Sequence, residues 1–144
     1  MARRGVVPPV TNPAARSALE ALAAAPSFEL LERVFEACRA GMLVADVTGS
    51  TPGVEPTVRT ILSTDGRVVL PLFTSAAELR AAVPKAQRGT LQAVAMSGEK
   101  ALRLALADES VVAVQFDPAS IGQVVVREHI ERTLAAGDLD DRSD

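Results

Sequence analysis

The chain contains no tryptophan, no tyrosine and a single cysteine, Cys38. Without Trp and Tyr it lacks the usual platforms on which bases stack. A net charge of −3 and a pI near 5.2 leave no surplus of cations to neutralise phosphates. Nucleic acid is therefore excluded as a partner class. One thiol can form neither an internal disulfide nor a multi-thiolate metal site, and it fits a reducing cytoplasm. Long apolar runs are missing too. The best of them, Val68 to Phe73 and Val111 to Val114, fall far short of the roughly 20 residues that a bilayer-spanning helix needs. Arg3 and Arg4 are followed by Gly5, Pro8 and Pro9 instead of the apolar core of a signal peptide. The expectation is a soluble, cytoplasmic chain with no membrane association.

What is present is an ordinary globular balance, 48% hydrophobic and 23% charged residues over 144 positions, enough for one core. Residues 1–12 read as an extended N-terminal arm. Asn12 and Pro13 then form a helix start, and the Ala/Leu/Glu-rich stretch to Ala24 continues it until Pro26. Ser27 caps a second helix, in which Phe28, Leu31, Val34, Phe35 and Cys38 make one apolar stripe, and Gly41 stands where a left-handed closing residue is expected. Met42 to Val47 reads as a buried strand. Thr57 to Leu62 and Arg67 to Phe73 form a hairpin around the Asp65-Gly66 turn. Ser75 and Glu78 make a capping box for a short helix over 76–83. Leu91 to Met96 suits a strand or a helix; Ser97 caps a helix over 98–107; Ser110 to Phe116 is a central strand; and Val124 to Val126 adds a short one. A last helix over 127–136 closes at Gly137, leaving 138–144 as an acidic, disordered tail. The fold class is α/β in the α+β sense: a mixed sheet with an antiparallel hairpin, flanked by helices and preceded by the helical pair 13–41. A single domain spans 13–137.

Chemistry-bearing residues are sparse. His129, the only histidine, falls in the last helix and away from any reactive hydroxyl, so a Ser/His/Asp site has no evident base. Cys38 on an apolar stripe behaves as a small hydrophobe. Asp46, Asp65 and Asp117 stand within or just after strand-like segments, where α/β sheets collect ligands, but Asp65 serves a turn and Asp117-Pro118 terminates a strand. The loop from Thr48 to Gly53 lacks the Gly-Lys-Ser/Thr ending of a phosphate loop. Arg80, Arg88, Arg103, Arg127 and Arg132 are scattered among acidic residues and read as solvated helix faces. No catalytic, metal or cofactor residue is assigned.

The run Asp65-Gly66-Arg67-Val68-Val69-Leu70-Pro71-Leu72-Phe73-Thr74-Ser75, followed by Ala77-Glu78-Leu79, resembles the N-terminal domain of the SseB family, the enhanced serine sensitivity proteins of bacteria. The family pattern is a Gly turn, a strand ending Leu-Pro-x-Phe-Thr-Ser, and a helix opening with Glu-Leu. The likeness extends from about Met42 to Leu134, with Asp117 standing where the pattern has Asn. The resemblance implies a fold and a binding or regulatory role, and it carries no catalytic residues to transfer. Together with a mean hydropathy of +0.20, it points to a non-catalytic protein-interaction module that binds a protein partner or a second copy as a homodimer. The Val124 to Val126 strand and the Thr57 to Phe73 hairpin supply candidate edges. Asp46, Pro71, Phe73, Thr74, Asp117 and Pro118 are the candidate interaction or pocket residues. The rival reading is a small-molecule-binding or hydrolytic enzyme with its pocket at the strand carboxyl ends.

Overall fold

The computed structural model describes residues 10–142 apart from 52, 55 and 56. Most of the expected arm, 1–9, lies outside the described residues, as do 143 and 144. Residues 10–12 do more than cross a surface: Thr11 bridges to Ser75, and the buried Asn12 donates its backbone N–H to Thr74 O at 2.8 Å.

Helix α1 (Pro13–Ala24) starts as expected, with the Asn12 side chain accepting from Ala15 N and Pro13 in the first turn. Its buried stripe is Ala15, Leu19 and Leu22. Ser27 caps α2 (Phe28–Ala40), whose buried residues are Leu31, Val34, Phe35 and Cys38. Phe28 departs from the stripe assigned to it and is 71% exposed. It is the first helical residue, one turn short of Leu31, and it overhangs the end of the core. Gly41 also departs from expectation: its φ is −136°, which is extended backbone. Space, not φ, selects glycine there, because a Cβ would lie 2.7 Å from the Asn12 side-chain nitrogen.

The sheet is mixed. Strand β1 (Met42–Asp46) pairs antiparallel with β4 (Ala93–Ser97), and a second run has the order β2 (Ile61–Leu62), β3 (Val68–Leu72), β5 (Val111–Phe116), β6 (Gln123–Val126). Within it β3 and β5 are parallel, and the other two pairings are antiparallel. An isolated bridge, Val44 to Phe73, joins β1 to the end of β3. The expected hairpin turns at Gly66 with φ +82°, but its first strand is only Ile61–Leu62 instead of Thr57–Leu62, and 57–60 are not in a strand. Backbone groups alternate sides along a strand. The Pro71 nitrogen therefore faces the side of β3 where β2 has ended at Val69 and β1 joins only at Phe73, and no ladder bond is lost.

Helix α3 (Ala76–Ala82) and a short 3-10 turn (Lys85–Thr90) lead to β4; α4 (Gly98–Ala107) and α5 (Arg127–Arg142) follow the strands β4 and β6 directly. Gly98 is indispensable, since a Cβ there would meet the Cys38 carbonyl oxygen at 1.9 Å. The last helix does not close at Gly137. It runs on to Arg142, so the backbone expected to begin a disordered tail is helical as far as 142. Gly137 is not among the positive-φ glycines, and a left-handed residue is what a stop there requires.

Two apolar clusters form the core. The main one gathers Leu19 and Leu22 of α1, Phe35 of α2, Leu70 of β3, Phe116 of β5 and Ile130 of α5, so the N-terminal helical pair packs on its own chain. The second, around Val44, Phe73, Leu79 and Val83, lies under α3. Between them, the registered row Ile61, Val69, Ala113, Val126 faces away from the main core; Val69 and Ala113 belong to neither cluster.

Candidate functional site

At the carboxyl ends of the parallel strands, β3 runs out into Thr74 and β5 into Asp117. Asp117 has φ +47°, a left-handed conformation that Asp and Asn tolerate better than other side-chain-bearing residues. Its N–H donates to Leu72 O at 3.0 Å, and its carbonyl accepts from Ser120 N and Gly122 N at 3.0 and 2.9 Å. This turn directs the carboxylate inward, where it is fully buried. Oδ1 accepts from Thr74 N at 2.8 Å, and Oδ2 accepts from Thr74 Oγ1 at 2.7 Å and from Arg16 Nη1 at 2.9 Å. Arg16 comes from α1, so a single carboxylate fastens the N-terminal helix to the ends of both parallel strands.

The ring of contacts continues outward. The Arg16 guanidinium also donates to Ser120 Oγ at 2.9 Å and lies 3.3 Å from Glu78 Oε1, and Ser120 in turn donates to Glu78. Burial opposes the Arg16 charge, but the Asp117 hydrogen bond and the charges of Glu78, Asp117 and Glu20 outweigh it and raise its pKa above the ordinary range. The capping box thus forms only in half. Ser75 Oγ accepts from Glu78 N as expected, while the Glu78 carboxylate turns to Arg16 and Ser120. A charged partner 62 positions away in sequence outcompetes the local amide.

Thr74 and Asp117 meet in this hub; the other four candidate residues lie next to it. Asp46, Pro71, Phe73 and Pro118 line a cleft of about 140 Å³ whose further polar groups are Arg59 and Gln87. Asp46 faces this cleft while its Oδ1 accepts from Thr48 N at 2.9 Å. Asp65 sits in the exposed hairpin turn, held to Ser63, and is not brought to either place. No group of three or more His, Cys, Asp or Glu among the described residues is arranged to hold a metal ion. The first three amides of the Thr48 to Gly53 loop are engaged: Thr48 N donates to Asp46 Oδ1 at 2.9 Å, Gly49 N to Gln92 Oε1 at 2.7 Å and Ser50 N to Val47 O at 3.0 Å.

Two arginines read as solvated helix faces have other work. Arg127 donates to the carbonyls of Ala105, Leu106, Asp108 and Val111 at 2.9–3.2 Å, satisfying the end of α4, and Arg88 Nε donates to the Arg80 and Val83 carbonyls behind α3. Arg132 and Arg103 pair with acids one turn away, as solvated residues do. Burial pushes the Cys38 thiol up to about 12 against the weaker pull of Arg39, so it stays protonated at neutral pH.

A third region was marked in the sequence only on its β6 side, by the Val124 to Val126 edge. Between the α1–α2 turn and β6 lies an apolar groove of about 410 Å³, floored by the buried Leu22, Leu31 and Val125 and rimmed by Phe28 and His129. The two rim rings meet edge to face with centroids 5.9 Å apart. No Asp, Glu, Lys or Arg lines the groove. The signal that could have located it was the Pro26-Ser27-Phe28 start, where an aromatic residue at the first helical position has little core left to face.

Fold and hub together define a class: an α+β domain with a mixed sheet, whose leading helix is latched to the ends of the parallel strands. The chain belongs to the SseB family. The model of the SseB protein N-terminal domain matches residues 16–132, a span that contains Arg16, Thr74, Glu78, Asp117 and Ser120. No curated protein and no solved structure matches the chain. Among the described residues, no helix is long and apolar enough to cross a membrane.

Proposed function

We propose that this chain is a non-catalytic protein-interaction or regulatory module that engages a protein partner on its β6 side. The observation that carries the reading is the 410 Å³ groove, lined by no Asp, Glu, Lys or Arg and rimmed by a phenylalanine that is 71% exposed. Exposed aromatic side chains and depletion of charge are the compositional marks of an interface centre. The strand-end hub supports the same reading from the other direction. Its carboxylate already accepts three donors from within the chain, and its arginine already faces three acidic partners, so its groups serve architecture before chemistry.

The test pairs capture from host lysate with the solution mass of the purified chain, for wild type and for Phe28→Ser. A stoichiometric protein partner held by wild type and lost by the variant is the expected result. A partner retained equally by both removes the groove from the reading. A co-purifying small molecule with no protein partner transfers the function to the 140 Å³ cleft at Asp46, Phe73 and Pro118, the small-molecule or hydrolytic alternative.

A further inference from the structure

Beside the groove runs β6, which among the described residues has β5 as its only strand neighbour. The direction of its free backbone groups follows from the ladder. Asp117 N donates to Leu72 O across the β3–β5 pair, so residues 113, 115 and 117 aim their backbone groups at β3, and 114 and 116 aim theirs at β6. In the β5–β6 register, Val114 faces Val125 and Phe116 faces Gln123, so Val125 and Gln123 hold the hydrogen bonds to β5. Val124 therefore presents both its N–H and its C=O to the open side. The Gln123 side chain confirms the geometry, because its Nε2 donates to Val124 O at 3.0 Å, in the place of a partner strand's amide.

We infer that an extended apolar segment of a partner protein adds to β6 as a further strand, pairing with the Val124 N–H and displacing the Gln123 side chain from the Val124 carbonyl, and seating an apolar side chain on Leu22, Leu31 and Val125. This rests on the interaction reading above and names its mode. The backbone favours one kind of occupant: a helix uses its own N–H and C=O groups internally, whereas a strand offers an acceptor to the Val124 N–H and a donor in place of the Gln123 amide. The mostly apolar lining, with no Asp, Glu, Lys or Arg, specifies its side chains, and their alternation along a strand requires only every second one to be apolar. A second copy of this chain fits less well. On the outer sheet face, Val112, Val124, Val126 and Ile61, each 37–47% exposed, fall well short of the roughly 800 Å² per partner of a stable interface.

The experiment is selection from a display library of random octapeptides on the full chain, followed by amide exchange of the complex and by titration of backbone N-methylated versions of a selected peptide. Selected peptides are expected to carry apolar residues at alternate positions, to slow exchange at the Val124 amide and to lose at least tenfold in affinity when N-methylated at the residue facing Val124. Val124→Pro removes only an outward donor, so it should lower affinity similarly while leaving the unfolding midpoint near wild type. Peptides with helical spacing that bind the groove with Val124 exchange unchanged would overturn strand addition and leave the interaction reading standing. Binding indifferent to N-methylation, a doubled solution mass without peptide, or no selected peptide also overturns it; only loss of groove-dependent capture of a natural partner would overturn the broader reading.

Discussion

The strand-end hub and the β6 groove are opposites in how completely the chain satisfies itself. At the hub, a buried carboxylate, an arginine, two hydroxyls and a second carboxylate saturate one another across positions 16 to 120. At the groove, a phenylalanine and a strand edge are left facing outward among plain aliphatic residues. Polar residues in conspicuous sequence positions thus mark where this molecule is held together, and inconspicuous apolar ones mark where it is open. Asp117 makes the same point. A carboxylate gives Arg16 a charged acceptor that an amide cannot, which turns a turn residue into a latch for α1.

The sharpest way to break this contrast is at Asp117. Asp117→Ala leaves Thr74 and Arg16 without their acceptor and places alanine at positive φ, and is expected to cost about 3 kcal/mol of stability in chemical denaturation. A loss near zero would mean the hub is not a structural device. Arg16→Met should cost less, about 1.5 kcal/mol, because its side chain is a third exposed. Combining it with Asp117→Asn should give a loss smaller than the sum of the two, since the pair acts as a unit. Additive losses would show that Arg16 and Asp117 are independent.

A third test asks whether the core beside the groove is sealed from it. The Cys38 thiol is held protonated in the fold up to about 12, while in the unfolded chain it ionises at its ordinary value near 9.0. Its contribution is therefore complete below about 9 and is lost as pH rises toward 12. Between pH 8 and pH 10 this amounts to about 1.4 kcal/mol. Denaturation at both values should show that loss in wild type and a flatter response in Cys38→Ala; equal slopes would mean that solvent reaches the stripe.

Much of the local structure was legible in the residues, and little of the long-range structure was. Asn12-Pro13, Ser27 and Ser97 start helices where their side chains say they should, and Asp65-Gly66 turns the hairpin, because each signal acts within four residues. Gly41, Gly98 and Gly137 were misleading or silent for the opposite reason. What selects or tolerates glycine there is another segment: Asn12 against Gly41 and the Cys38 carbonyl against Gly98, with the Arg39 side chain passing beside Gly137. Asp117 was visible as a strand terminator, yet its partners stand 43 and 101 residues away. Arg127 gave no sign that it would close a helix that ends twenty residues earlier. Of the six candidate site residues, two proved to share a hub and four to share a cleft. The groove residue Phe28 was assigned to the core because periodicity reports a face of a helix and not where along the helix the core stops.

The smallest effect on stability belongs to Phe28, and it separates the two regions most cleanly. Its ring touches His129 and overhangs the groove but contributes no buried area to the main cluster. Phe28→Ser should therefore shift stability by no more than about 0.5 kcal/mol, the range of an ordinary surface change. Ser27 keeps its cap to Leu30 N, and the helix behind it keeps Leu31, Val34 and Phe35 in place. The same substitution removes one wall of the groove, so an intact unfolding midpoint with lost partner capture is the expected pairing. A drop of 2 kcal/mol or more would place the ring in the core after all, and the contrast between a closed hub and an open edge would then fail at its open end.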